Sequence, residues 1–424
     1  MRNIFGLDAA QVAELLARVE SGTVPVGGAA QDDGPAGRAN CFARAAWSTI
    51  AEPGDGTAGE LVNRLGAAAA LTAVIERWNP ERILTVVAES AAEAPAELTR
   101  QAVLAALERW QPRVSSEAVL RSLRQAARVG ARVLTPADPL WPSAVDDLAS
   151  HAPIALWWRG NPEALSAFDS SVALVGARAA TGYGEHVAME ASAGLVDRGF
   201  AIVSGAAYGI DGMAHRAALA SSGTTMAFLA GGVDRFYPAG HDALLGRIVQ
   251  AGVVLSELPC GAAPTRWRFL QRNRLIAAST RATIVLEAGW RSGSLNTAGH
   301  AAALARPLGA VPGPVTSATA AGCHRLIRDY AAICVTNAAE MAELVGEIGP
   351  VADSRDEAAA EGADRPPEQT RVLDAMSTRS PRSLGDLAAR AGLAVATVQS
   401  VIGLLDLDGV VRQRETGWVA VPRR

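Results

Sequence analysis

No lysine occurs anywhere in this 424-residue chain, so all 39 of its fixed cations are arginine. That absence excludes a Walker phosphate loop, which needs a lysine at the phosphates. Any phosphate the protein grips is gripped by planar guanidinium forks, which bind bidentately and stack on bases. Cysteine is scarce: Cys41, Cys260, Cys323 and Cys334 stand far apart without CxxC spacing, so neither a zinc site nor a redox motif is expected, and no metal. No stretch approaches the ~20 uninterrupted apolar residues of a membrane span. The opening MRNIFGLDAAQVAELLARVE mixes charge into an amphipathic helical pattern rather than a signal peptide, so a cytoplasmic protein with no membrane partner is expected. GxSxG is missing, which leaves Ser/His/Asp triads drawn with His215 or His241 without a presented nucleophile. The glycines from Gly176 run G-x-x-x-x-x-G-x-G, which is not the G-x-G-x-x-G of a dinucleotide site.

What is present is globular: 49% hydrophobic, 19% charged, formal net charge −4, with length for about three domains at roughly 150 residues each. Residues 1–134 show helical spacing, as in GELVNRLGAAAALTAVIERW and RQAVLAALERWQP, interrupted by a Gly/Pro-rich loop at 21–40. Between 171 and 340 short apolar runs (SVALVGAR, AIVSGAA, TTMAFLAGG, GVVLSEL, ATIVLEA) alternate with helical segments. Runs that do not alternate polar with apolar belong to a sheet buried on both faces, so the spacing predicts a doubly wound, mostly parallel α/β sheet over 135–345. An acidic, Pro/Gly-punctuated stretch at 346–368 reads as a flexible linker, and 369–424 as helix, helix, helix and hairpin, a winged-helix pattern.

Ligands of doubly wound sheets sit at the carboxyl ends of the strands. Here those ends are rich in glycine: GARAATGYG, SGAAYGID, GGVDRFYPAG, EAGWRSGS and PGPVTS. Glycine lets loop amides approach an anion, and each following helix adds its N-terminal amides. Ser204, Ser292 and Ser294 stand where they would cap helices or donate to phosphates. The segment RWRFLQRNR puts Arg266, Arg268, Arg272 and Arg274 into nine positions. Arg272 and Arg274 diverge on a helix, so one reading is a buried ion pair plus a surface charge; the other lines the arginines along the glycine-rich edge. Trp267, Phe269 and Trp290 offer faces for base stacking, Phe269 being equally suited to the core, and His215 reads as a structural hydrogen-bonder.

The run LTPADPLWP, VALVGARAATGYG, IVSGAAYGIDGMAHRAAL, GGVDRFYP, RNRLIAAST and VLEAGWRSGSLNTA, in order across about 135–340, resembles the DNA-processing protein A (DprA/Smf) family. The resemblance implies a Rossmann-like domain, with a helical domain before it and a winged helix after it, that binds single-stranded DNA, protects it and helps load the RecA recombinase in natural transformation. It implies a homodimer, no cofactor and no catalysis. It places Gly176, Arg178, Ser204, Gly205, Arg266, Arg268, Arg272, Asn273, Arg274, Ser292, Gly293 and Ser294 at the DNA-binding cleft. Four positions depart from the family pattern: Ala177 for Ser, Ala239 for a basic residue, Asn296 for Ile and His324 for Asn. The alternative is a nucleotide sensor or a phosphoribohydrolase-like enzyme on a related fold. EAGWRSGSLNTA argues against hydrolysis, since Gly299 and His300 stand where that chemistry needs a Glu. A third reading makes the winged helix the DNA reader, yet its second long helix carries no Arg.

Overall fold

The computed structural model describes residues 3–20, 35–90, 98–346 and 366–421. Two short antiparallel strands, β1 (Asn3–Ile4) and β2 (Leu7–Asp8), replace the helix expected at the very start, and α1 runs only over Ala9–Val19. Asp8 sets that boundary, its carboxylate accepting from the Ala10 amide as an N-cap. Then follow α2 (Pro35–Ile50), α3 (Gly56–Leu65), α4 (Ala67–Ile75), α5 (Pro80–Glu89), α6 (Arg100–Trp110) and α7 (Ser116–Val129). The Gly/Pro-rich segment is therefore helical from Pro35; its residues 21–34 lie outside the described residues. Asp55, Asn79, Thr99 and Ser115 cap four of these helices, and Trp47 and Trp110 meet edge to face at 5.0 Å in their core.

Nine strands make the central sheet. They are β3 (Arg132–Leu134), β4 (Leu156–Gly160), β5 (Ser171–Gly176), β6 (Ala201–Ser204), β7 (Thr225–Phe228), β8 (Val253–Ser256), β9 (Ala282–Glu287), β10 (Leu308–Ala310) and β11 (Ile333–Cys334). Their order is β11-β10-β9-β5-β6-β7-β8-β4-β3. All pairings from β11 to β8 are parallel; β4 and β3 extend the edge antiparallel. The sequence reading missed these two, since LWWRG lies outside the strand-helix alternation. Helices α8 (Gly182–Val196), α9 (Ile210–Ala220), α10 (Asp242–Ala251), α11 (Arg266–Ala278), α12 (Ser294–Ala303), α13 (Ala321–Asp329) and α14 (Ala338–Gly346) cover both faces. Strands β6 to β10 are buried at every position, as a two-sided sheet requires. Strand order reverses at β5, flanked by β6 on one side and β9 on the other. That is the switch point, the place where sheets of this kind bind their ligands.

The winged helix comprises α15 (Pro367–Ala375), α16 (Leu384–Ala391), α17 (Val395–Leu407) and the hairpin β12 (Val411–Arg414) with β13 (Gly417–Ala420). It holds its own core around Val372, Leu387, Ile402 and Leu405. Helix α15 starts at Pro367, inside the stretch read as linker; residues 347–365 of that linker lie outside the described residues. No single helix among the described residues is long and apolar enough to cross a membrane.

Candidate nucleic-acid interface

Glu287, buried at the end of β9, ties the switch point together. Its two carboxylate oxygens accept from the Thr181 amide at 2.9 Å and the Thr181 hydroxyl at 2.8 Å. Its backbone carbonyl accepts from the Ala177 amide at 2.7 Å, and the Ala177 carbonyl accepts from Ile210. Gly176 has no alternative here: a Cβ would stand 2.6 Å from Ile210 Cγ1 and 2.9 Å from the Glu287 carbonyl. This stitching leaves Arg178 exposed on the rim.

Arg178 and Arg272 both approach Phe269. Their guanidinium carbons lie 5.0 Å and 5.7 Å from its ring centroid, within cation–π range. Tyr237, half exposed, packs on Phe269 from another side at 5.6 Å. Beside it Tyr208, also half exposed, stands edge-on to His241 at 4.8 Å and accepts from the Gly240 amide. Phe269 is thus neither core nor free surface: it is half-buried among Arg178, Arg272 and Tyr237. Neither tyrosine was singled out from the sequence. GGVDRFYP, in the glycine-rich loops, carried the signal for Tyr237.

The expected single row of cleft arginines is corrected. Arg272 is buried, its Nη1 donating to the Gly205 carbonyl at 2.7 Å and also to the Phe228 carbonyl, with Asp211 as counter-charge. Burial pushes its guanidinium down to about 10. Arg274, two residues on, faces the opposite side, donating to the His151 carbonyl and to Glu257 at 2.8 Å. Arg268 is held by Glu52 through two hydrogen bonds of 3.0 and 2.7 Å. The 100° step of a helix separates residues two apart and sends them to different neighbours. Only Arg266 is exposed among the four. Ser204 is corrected as a phosphate donor too, since it is fully buried and its hydroxyl donates to the Leu174 carbonyl at 2.6 Å. The Gly205 amide donates to Asp211 at 3.1 Å, and a Cβ at Gly205 would stand 2.4 Å from the Arg272 guanidinium. Asp211 was not singled out as an anchor either, although it stands in the GID motif.

On the β9 side of the switch point, the Ser292 and Ser294 hydroxyls are 2.8 Å apart around exposed Gly293, at the start of α12. Asn273 leans toward them, donating to the Gly293 carbonyl at 3.4 Å and to Asn296 Oδ1 at 3.2 Å. Asn296, one of the four departures, therefore orients Asn273. His324, another, lies 2.9 Å from the Gly313 carbonyl. Trp290 is half exposed with Arg325 5.3 Å over its ring. His215 is fully buried at 2.7 Å from Thr225 Oγ1, and burial holds its imidazole down at about 3, so it is a neutral core hydrogen-bonder. No cluster of three or more metal-ligating side chains occurs among the described residues.

A doubly wound sheet with an appended antiparallel edge and a C-terminal winged helix defines the class. The family model for DNA recombination-mediator protein A matches residues 132–346, and that for the DprA winged helix domain matches 356–417. The putative DNA processing protein DprA of Mycobacterium tuberculosis is 45% identical over 301 residues, spanning 69% of this chain and 77% of that protein. The DNA processing protein DprA of Streptococcus pneumoniae is 38% identical over 192 residues, 45% of this chain and 67% of that protein. A solved structure of DprA from Streptococcus pneumoniae superposes over 72% of this chain and 97% of that one, with TM-score 0.56 and 26% identity. The chain belongs to the DNA-processing protein A family.

Proposed function

We propose that this protein binds single-stranded DNA along the rim from Arg178 to Ser292, without catalysis, and hands it to the RecA recombinase during transformation or recombination in the cytoplasm, as a homodimer. The observation that carries the reading is the Arg178–Phe269–Tyr237 platform. It joins an exposed guanidinium to the half-buried ring of Phe269 and the half-exposed ring of Tyr237. Stacking on aromatics serves any unpaired base, whereas paired bases keep their faces hidden. The carboxylates nearest the switch point support a binding role over hydrolysis: Glu287 is tied to Thr181 and Asp211 to loop amides. The exposed side of α17 carries Val395, Leu404 and Leu407 with Asp406, and Asp408 follows at its end, which suits a protein contact better than a DNA groove.

Fluorescence anisotropy with a labelled oligothymidine and with the matching duplex, at two salt concentrations, tests the proposal. Unpaired DNA binds more tightly, with log affinity falling at about −0.7 per phosphate neutralised, for roughly two to three phosphates. Arg178→Glu and Phe269→Ala each weaken binding at least about tenfold, stacking alone being worth ~1–3 kcal/mol per base. Wild-type affinity in both variants sinks the assigned cleft.

A further inference from the structure

Each of the four arginines of α11 lies near a carboxylate. Arg268 meets Glu52, Arg272 meets Asp211, Arg274 meets Glu257, and Arg266 lies in the field of Asp374. Asp211 and Glu257 belong to the same sheet domain, and Glu52 to the helical domain packed behind it. Asp374 alone comes from the winged helix, on α15. Its Oδ2 accepts from the Trp267 amide at 2.9 Å, with the Arg266 amide close beside it. It therefore occupies the positive end of α11, where the first amides lack partners within the helix. Arg371, one turn earlier on α15, lies 5.5 Å over the Trp267 ring. A carboxylate on helix amides beside a planar cation on an indole repeats the pattern by which a nucleotide sets a phosphate and a base.

Glu52 and Asp374 are held unequally. Burial alone would push the Glu52 carboxyl up, yet Arg268 and Arg113 outweigh it and hold it down at about 2. Asp374 is half-buried, and there desolvation outweighs the amides and arginines around it, leaving its carboxyl above the usual range. Glu52 is a fully compensated anchor; Asp374 is a contact whose partners do not repay its desolvation. Arg266 stands three residues before Phe269 on α11 and so shares its side of the helix, so a strand running from Phe269 toward the start of α11 meets Arg266 and with it Asp374.

We infer that the winged helix is a removable counter-charge, in which Asp374 covers the first turn of α11 and competes with the phosphate backbone of bound DNA for Arg266 and the Trp267 amide. This rests on the single-strand reading proposed above. In the full chain, Asp374→Ala and the isosteric Asp374→Asn should each bind oligothymidine about fivefold more tightly near 0.1 M salt, with the salt slope steeper by about 0.7, as one more phosphate contact requires. Adding Arg266→Ala should erase the gain. Circular dichroism and urea unfolding report that each variant is folded, and the Asn variant keeps the side chain's size where the Ala variant does not. Affinity equal to or below wild type in both variants overturns the inference, as does a gain that survives Arg266→Ala. If wild type and variants alike fail to bind unpaired DNA, the single-strand reading falls and takes this one with it; if wild type binds and loses affinity in Arg178→Glu while Asp374 variants gain nothing, only this one falls.

Discussion

Arg272 and Arg274 are two residues apart and do different work. Arg272 bridges the carbonyls that end β6 and β7, fixing the two loops that follow them. Arg272→Ala leaves Asp211 and those carbonyls without their cation, at a cost of about 2–4 kcal/mol in urea unfolding, with loss of oligonucleotide affinity in the folded fraction. Arg274→Ala strands Glu257 and costs a comparable ~2–4 kcal/mol, but leaves affinity in the folded fraction unchanged, because nothing in its contacts reaches the Arg178–Phe269–Tyr237 platform. The pair thus separates a prop of the site from a prop of the fold. The sequence foresaw the divergence of the two side chains from helical spacing alone. It did not say which neighbour each would meet, since His151 and Gly205 are far from α11 along the chain.

At the scale of elements, two buried groups make stability depend on pH. His215 on α9 is held at about 3 by burial, against an ordinary 6.5, so the unfolded chain binds the extra proton between those values. Its contribution is complete above pH 6.5 and is lost as pH falls toward 3, at up to roughly 1.4 kcal/mol per pH unit. Glu52, at about 2 against 4.5, contributes fully above pH 4.5 and loses that contribution as pH falls toward 2. Urea midpoints taken between pH 7.5 and 3.5 should fall from about pH 6.5 downward, and His215→Asn should flatten the upper part of that fall. Helix α11 itself illustrates why an arginine-rich run misleads. Charge density suggested a phosphate track, but a helix interior to three packed domains must neutralise what it carries, since an unpaired buried cation is far costlier than a paired one.

In the whole molecule, α11 is where the helical domain, the sheet and the winged helix meet. Glu52 bonds Arg113 from its own domain and Arg268 from the sheet domain, while Gly392 of the winged helix sits so close that a Cβ would stand 2.6 Å from the Glu52 side chain. Glu52→Ala leaves two buried arginines facing each other and should cost about 3–5 kcal/mol. Because that loss falls at the junction rather than within one core, differential scanning calorimetry should split the unfolding into separate transitions where wild type shows them merged. The two-sided parallel sheet and the C-terminal winged helix were legible in advance because each has its own periodicity: unbroken apolar strands, then helix-helix-hairpin. The switch point was legible only in outline, as glycine at the strand ends and a reversal of strand order still to be located.

The chain by itself determined the class of fold, the glycine-rich rim and the guanidinium character of every fixed cation, because local spacing and residue type depend on nothing distant. Tertiary structure alone decided which arginines keep their charge available. That choice depends on Glu52, Asp211, Glu257 and Asp374, which come from three domains, and no local pattern records which carboxylate a packed guanidinium will find.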